Sequence, residues 1–83
     1  MYKILIERRA EKDLNALDHL IKERVIKRIL ILGNNPRPTN CKKLIGSEND
    51  WRVRIGDWRI IYEVNDKLKE VKIYSIKHRS MAY

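Results

Sequence analysis

Arg54, Arg59, His78, Arg79 and Tyr83 are the side chains of this 83-residue chain whose types suit chemistry on a phosphate. The two arginines belong to the run Trp51-Arg52-Val53-Arg54-Ile55-Gly56-Asp57-Trp58-Arg59-Ile60-Ile61-Tyr62. Apolar and polar residues alternate there on both sides of a Gly-Asp step, which predicts a β-hairpin with a two-residue turn. Ile55 then pairs with Trp58, Arg54 with Arg59, Val53 with Ile60 and Arg52 with Ile61. Trp51, Val53, Ile55, Trp58, Ile60 and Tyr62 share one face, and Arg52, Arg54 and Arg59 share the other. Like charges facing each other across strands cost up to about 1 kcal/mol, so an anion is expected on that face. The tail Lys77-His78-Arg79-Ser80-Met81-Ala82-Tyr83 follows the last expected strand and emerges at one end of the sheet. Guanidinium groups, an imidazole and a phenol in one place match the needs of RNA cleavage by the neighbouring 2′-hydroxyl. A base takes the hydroxyl proton, cations stabilise the phosphorane and an acid protonates the departing 5′-oxygen. Arginine suits the middle task because its fork grips phosphate at two points and stays charged. Arginine faces on small domains also bind anions without any chemistry, so the residues alone leave both uses open.

Other chemistries find little support. The two histidines, His19 and His78, are far apart and no carboxylate cluster has ligand spacing, so no metal or other cofactor is expected. There is no glycine-rich phosphate loop and no Ser/His/Asp signature. A single cysteine, Cys41, rules out an internal disulfide and fits a reducing cytoplasm. No apolar run nears 18 residues and no signal peptide is visible, so neither a membrane nor export is expected. The net charge of +8 comes from 19 Lys and Arg against 11 Asp and Glu, spread over both halves of the chain. That excess suits an anionic partner, either nucleic acid or an acidic protein.

These residues need elements to hold them. Tyr2–Glu7 reads as a short strand, and Ala10, Leu14 and Leu17 give a helical stripe. Asp18 is placed to cap a second helix in which Ile21, Val25, Ile29 and Leu32 face inward, Ile26 and Leu30 widen the stripe, and Gly33 with Asn34, Asn35 and Pro36 ends the run. Residues 34–50 form a turn-rich connection containing the basic pair Lys42 and Lys43, which are candidates for RNA contact. After the hairpin, Asn65-Asp66 marks a turn, and Val71–Ile76 is an inner strand with apolar residues on both faces. Glu63 shares the arginine face and is expected to pair with Arg59. The order βααβββ predicts one α+β domain over residues 1–83, with two N-terminal antiparallel helices on a mainly antiparallel four-stranded sheet.

The runs "WRVRIGDWRIIYEV", "ERRAEKDLNAL" and "IYSIKHRSMAY" together resemble the RelE/ParE toxin superfamily of type II toxin–antitoxin systems. The resemblance covers nearly the whole chain. It implies a small βααβββ fold and an acidic, RelB-like cognate antitoxin forming a toxin–antitoxin hetero-oligomer. For the RelE branch it implies ribosome-dependent endoribonuclease cleavage of mRNA, inhibiting translation. Arg54 and Arg59 match the family's phosphate-contacting residues, Arg52 a further sheet position used for RNA contact, His78 and Arg79 its "HR" pair, and Tyr83 the closing aromatic. That tyrosine is a base or a base-stacking residue among relatives. Where many relatives carry a second basic and an acidic residue after the pair, this chain has Ser80-Met81-Ala82. As a final residue, Tyr83 would also bring its α-carboxylate near the phosphate and raise its own phenol above the usual value of about 10. The same resemblance admits a ParE-like inhibitor of DNA gyrase without nuclease activity, and a non-catalytic antitoxin-binding module.

Overall fold

The computed structural model describes residues 1–81. Strand β1 (Lys3–Ile6) leads into helices α1 (Arg8–Asn15) and α2 (His19–Asn34). Strands β2 (Cys41–Lys43), β3 (Asp50–Ile55), β4 (Trp58–Asn65) and β5 (Glu70–His78) follow, and a 3-10 turn, Arg79–Met81, closes the described chain. The sheet order is β1-β5-β4-β3-β2, with β1 parallel to β5 and every other pair antiparallel.

The α+β class and the two helices match expectation, but the sheet has five strands rather than four. The extra one is β2, three residues inside the expected connection, with Cys41 opposite Val53, Lys42 opposite Arg52 and Lys43 opposite Trp51. So short a strand carries no periodicity of its own; the exposed edge of β3 holds it in place.

The β3–β4 hairpin has the expected register, including Arg54 opposite Arg59. Gly56 takes φ 57°, the positive angle that a two-residue turn of type II′ needs at its first position. Strand β5 lies between β1 and β4, as an inner strand should, and breaks register against β4 between Ile61 and Tyr62. Tyr62 pairs with Ile73 and Ile61 with Ser75, which leaves Tyr74 as the extra residue of a β-bulge. The bulge shifts the alternation by one, so Val71, Ile73 and Ile76 all face the helices and are all buried.

The core lies between that sheet face and the helices. Ala10 and Leu14 of α1 and Val25, Ile29 and Leu32 of α2 meet Val53, Ile55, Ile60, Tyr62, Val64, Val71, Ile73 and Ile76. Asp18 caps α2 as expected, its carboxylate accepting from the backbone N–H of Leu20 at 3.1 Å and Ile21 at 3.2 Å. Helix α2 ends at Asn34, within the expected stop, and Asn35 caps it. Gly33 sits inside the last turn, where its carbonyl accepts from the Tyr2 N–H at 2.8 Å and an added Cβ would come 3.3 Å from the Tyr2 carbonyl oxygen. Ile26 and Leu30 do not widen the buried stripe: they are 37% and 61% exposed. Beyond the end of β1, Asp13 of α1 covers the open edge of β5 by accepting from the Ile76 N–H at 3.0 Å.

Candidate functional site

Side chains directly opposite each other in a sheet share a face, so the register fixes what stands on the outer surface, away from the helices. Arg54 on β3, Arg59 on β4 and Lys77 on β5 form one row across three strands. With strands about 4.8 Å apart the row spans about 10 Å. The next row carries Lys42, Arg52, Ile61 and Ser75. No carboxylate stands in either row. Acidic residues return in the third, where Asp50 pairs with Glu63. The outer face is thus cationic toward the hairpin turn and mixed in charge toward the other end, where Lys72 stands opposite Glu63.

Within the cationic half, Arg54 is exposed and Arg59 half-buried. The Nε of Arg59 is buried and has no hydrogen-bond partner. The expected ion pair between Arg59 and Glu63 does not form; the ion pairs among the described residues join His19 to Glu23, Arg37 to Asp66 and Arg79 to Asp57. Glu63 instead faces Tyr74 of the bulge, whose hydroxyl is pushed up to about 12 by burial, by the charge of Glu63 and by hydrogen bonding to it. Arg52 and Lys42 border an open groove of about 490 Å³ that Lys43, Leu44 and Ile45 also line. Lys43 itself pairs with Trp51 and belongs by register to the helix-side face.

The tail meets the hairpin in two ways. The backbone N–H of Arg79 donates to the Asp57 carbonyl at 2.8 Å, and its guanidinium lies 3.7 Å from the Asp57 carboxylate, so Arg79 is clipped to the hairpin turn. His78 pairs with Trp58, which puts it on the helix-side face by register, and its ring meets the indole edge-on with centroids 5.0 Å apart. Its Nδ1 lies 3.2 Å from the Ser80 N–H, which donates to it, and 2.8 Å from the Ser80 hydroxyl. With Nδ1 accepting, Nε2 carries the proton of the neutral ring. The structure therefore groups Arg54 and Arg59 with Arg52 and Lys42, brings Arg79 to the turn beside them, and sets His78 on the other face. Tyr83 lies outside the described residues.

Lys77 is the residue that sequence reasoning missed. The only available signal was the pattern of β5, apolar on both faces over Val71, Ile73, Tyr74 and Ile76, which one inserted residue explains as well as full burial does. Among the described residues, no three His, Cys, Asp or Glu side chains gather where a metal ion could be held. No helix among them is long and apolar enough to cross a membrane.

By family and fold the chain is a small toxin of the toxin–antitoxin type. A family model described as the ParE toxin of the type II toxin–antitoxin system parDE matches residues 4–83, and the chain belongs to that family, within the RelE/ParE superfamily. No curated protein sequence matches the chain. Among solved structures, the archaeal RelE–RelB complex from Pyrococcus horikoshii is 34% identical, with TM-score 0.85 and 98% of each chain covered. The RelBE2 toxin–antitoxin complex from Mycobacterium tuberculosis is 25% identical, with TM-score 0.83 over 94% of this chain and 98% of that one. The RelB–RelE complex from Methanococcus jannaschii is 26% identical, with TM-score 0.78 over 95% and 94%.

Proposed function

We propose that this toxin is an endoribonuclease that cuts mRNA on the ribosome, using its outer sheet face to hold the phosphate under attack. The observation that carries the reading is the Arg54–Arg59 pair, two guanidiniums facing each other across strands with no carboxylate opposite either. In the reaction, the 2′-oxygen attacks phosphorus as its proton passes to a base. The bond from phosphorus to the 5′-oxygen breaks, and that oxygen gains a proton, leaving a 2′,3′-cyclic phosphate and a free 5′-hydroxyl. Arg54 and Arg59 bind the non-bridging oxygens and stabilise the charge that grows on them. Arg79, held by Asp57 at the turn, stands at the end of the row, while Arg52 and Lys42 contact flanking RNA from the outer face and Lys43 does so from the β2 edge of the sheet. Tyr83 serves as base or as a stacking platform, the two roles its resemblance implies. His78 acts as a positioning residue that fixes the tail through Ser80 and Trp58.

The partner in this reading is an acidic, RelB-like antitoxin. The RelE proteins of Pyrococcus horikoshii and Methanococcus jannaschii are complexed with RelB, and the net charge of +8 here suits an acidic protein. A second reading, inhibition of DNA gyrase, is favoured by the description of the matching family as ParE. The two separate in a pair of assays on the purified toxin. The nuclease reading expects arrested cell-free translation and unimpaired gyrase supercoiling; blocked supercoiling with intact message would establish the other.

A further inference from the structure

Asp57 is the acidic residue of the hairpin turn, two positions before Arg59 in the chain. The turn itself does not call for its charge, because asparagine suits a tight turn as well as aspartate does. Nor does the clip to the tail, which runs from the Arg79 N–H to the Asp57 carbonyl at 2.8 Å. The carboxylate faces Arg79 instead, 3.7 Å from its guanidinium. Arg24 of α2 lines the same cleft at the turn, yet the ion pair of Asp57 is with Arg79. At that distance the two groups attract each other without a hydrogen bond, and both are exposed, so water and salt weaken the contact. A phosphate offers the same fork two short, charge-assisted hydrogen bonds. We infer that Asp57 is a positioning residue for Arg79: its carboxylate holds the guanidinium at the end of the Arg54–Arg59 row until an RNA phosphate displaces it. The inference deepens the RNA reading above and rests on it. The backbone clip keeps the Arg79 main chain at the turn throughout, so only its side chain changes partner. Without RNA, the carboxylate offsets one of the positive charges gathered at this end of the sheet.

Because the contact with Asp57 is given up on binding, its removal should tighten binding, the opposite of what damage to the fold would do. Binding can be read without cleavage by using a labelled single-stranded RNA whose 2′-hydroxyls are methylated. Asp57→Asn keeps the turn and the backbone clip but loses the charge. It is expected to bind about threefold tighter than the parent at about 0.1 M salt, the worth of an exposed ion pair, and the gain should shrink as salt rises. Arg79→Gln alone should weaken binding. In that background there is no guanidinium to release, so adding Asp57→Asn should leave affinity unchanged, and the cycle of four proteins isolates the coupling. Thermal melts of each variant establish that it is folded. If Asp57→Asn binds as the parent does, or more weakly, while Arg59→Gln still loses affinity, the inference is overturned and the RNA reading stands. Equal tightening in both backgrounds would also overturn it, because the carboxylate would then repel RNA directly rather than act through Arg79. A parent protein that binds no RNA removes both readings together.

Discussion

At the scale of residues, the protein keeps an arrangement that costs stability. Arg54 and Arg59 face each other across β3 and β4. Removing one of these charges should stabilise the isolated toxin while weakening what it does. Arg54→Gln is expected to raise unfolding stability by a few tenths of a kcal/mol, up to about 1 kcal/mol, in low salt. The gain should shrink in high salt, where surface charges are screened. Urea denaturation at two ionic strengths checks this, and toxicity of the same variant in growing cells should fall. A variant that is both less stable and less toxic would mean that Arg54 holds the fold together rather than an anion.

At the scale of elements, two tethers are separately testable. The Asp18 carboxylate satisfies two N–H groups at the start of α2. Asp18→Ala should therefore cost about 1 kcal/mol, and Asp18→Ser much less, as read by denaturant unfolding. The turn after β4 is tied by Asp66, which takes hydrogen bonds from Arg37 at 2.8 Å and from the Tyr2 hydroxyl at 2.6 Å. These bonds, Arg37 first, hold the Asp66 carboxyl at about 2 rather than 3.8. A depressed acid favours the folded state above its unfolded value and loses that contribution as pH falls through the folded one. The stability gap between the parent and Asp66→Asn should thus be present at pH 5 and close between pH 4 and 2, as followed by thermal melts. A gap that persists at pH 2 would assign the tether to something other than the charged carboxylate. The elements also show what the sequence could convey. Alternation around Gly56-Asp57 was enough to pair β3 with β4 residue by residue, because a two-residue turn leaves one register. Strand β2 was illegible because three residues have no period and β3 supplies their order. The tail leaves the sheet beside the hairpin turn as expected, but the faces of its residues were illegible: a bulge of one residue at Tyr74 decides which of Lys77 and His78 faces outward, and alternation cannot announce its own interruption. Gly33 and the residues after it marked the end of α2, but the second use of Gly33, to let α2 approach the β1 backbone, has no signal in the sequence.

At the scale of the whole molecule, the helices fill one face of the sheet and leave the other to charge. That division puts the basic rows on a broad, open surface, as suits a large polyanionic partner rather than a small substrate in a cleft. An acidic antitoxin would meet the same charge, so its association rate should fall steeply as salt rises, while dissociation changes little. Stopped-flow mixing with the cognate antitoxin measures both, and an association rate indifferent to salt would argue against electrostatic capture. The central claim is that the outer face holds the scissile phosphate of a message. Primer extension on an mRNA translated in a cell-free system tests it most directly. The account predicts discrete cuts with the parent toxin, upstream fragments ending in 2′,3′-cyclic phosphate, and loss of those cuts with Arg59→Ala. Cuts that persist at the parental rate in Arg59→Ala, with the variant folded, would contradict it.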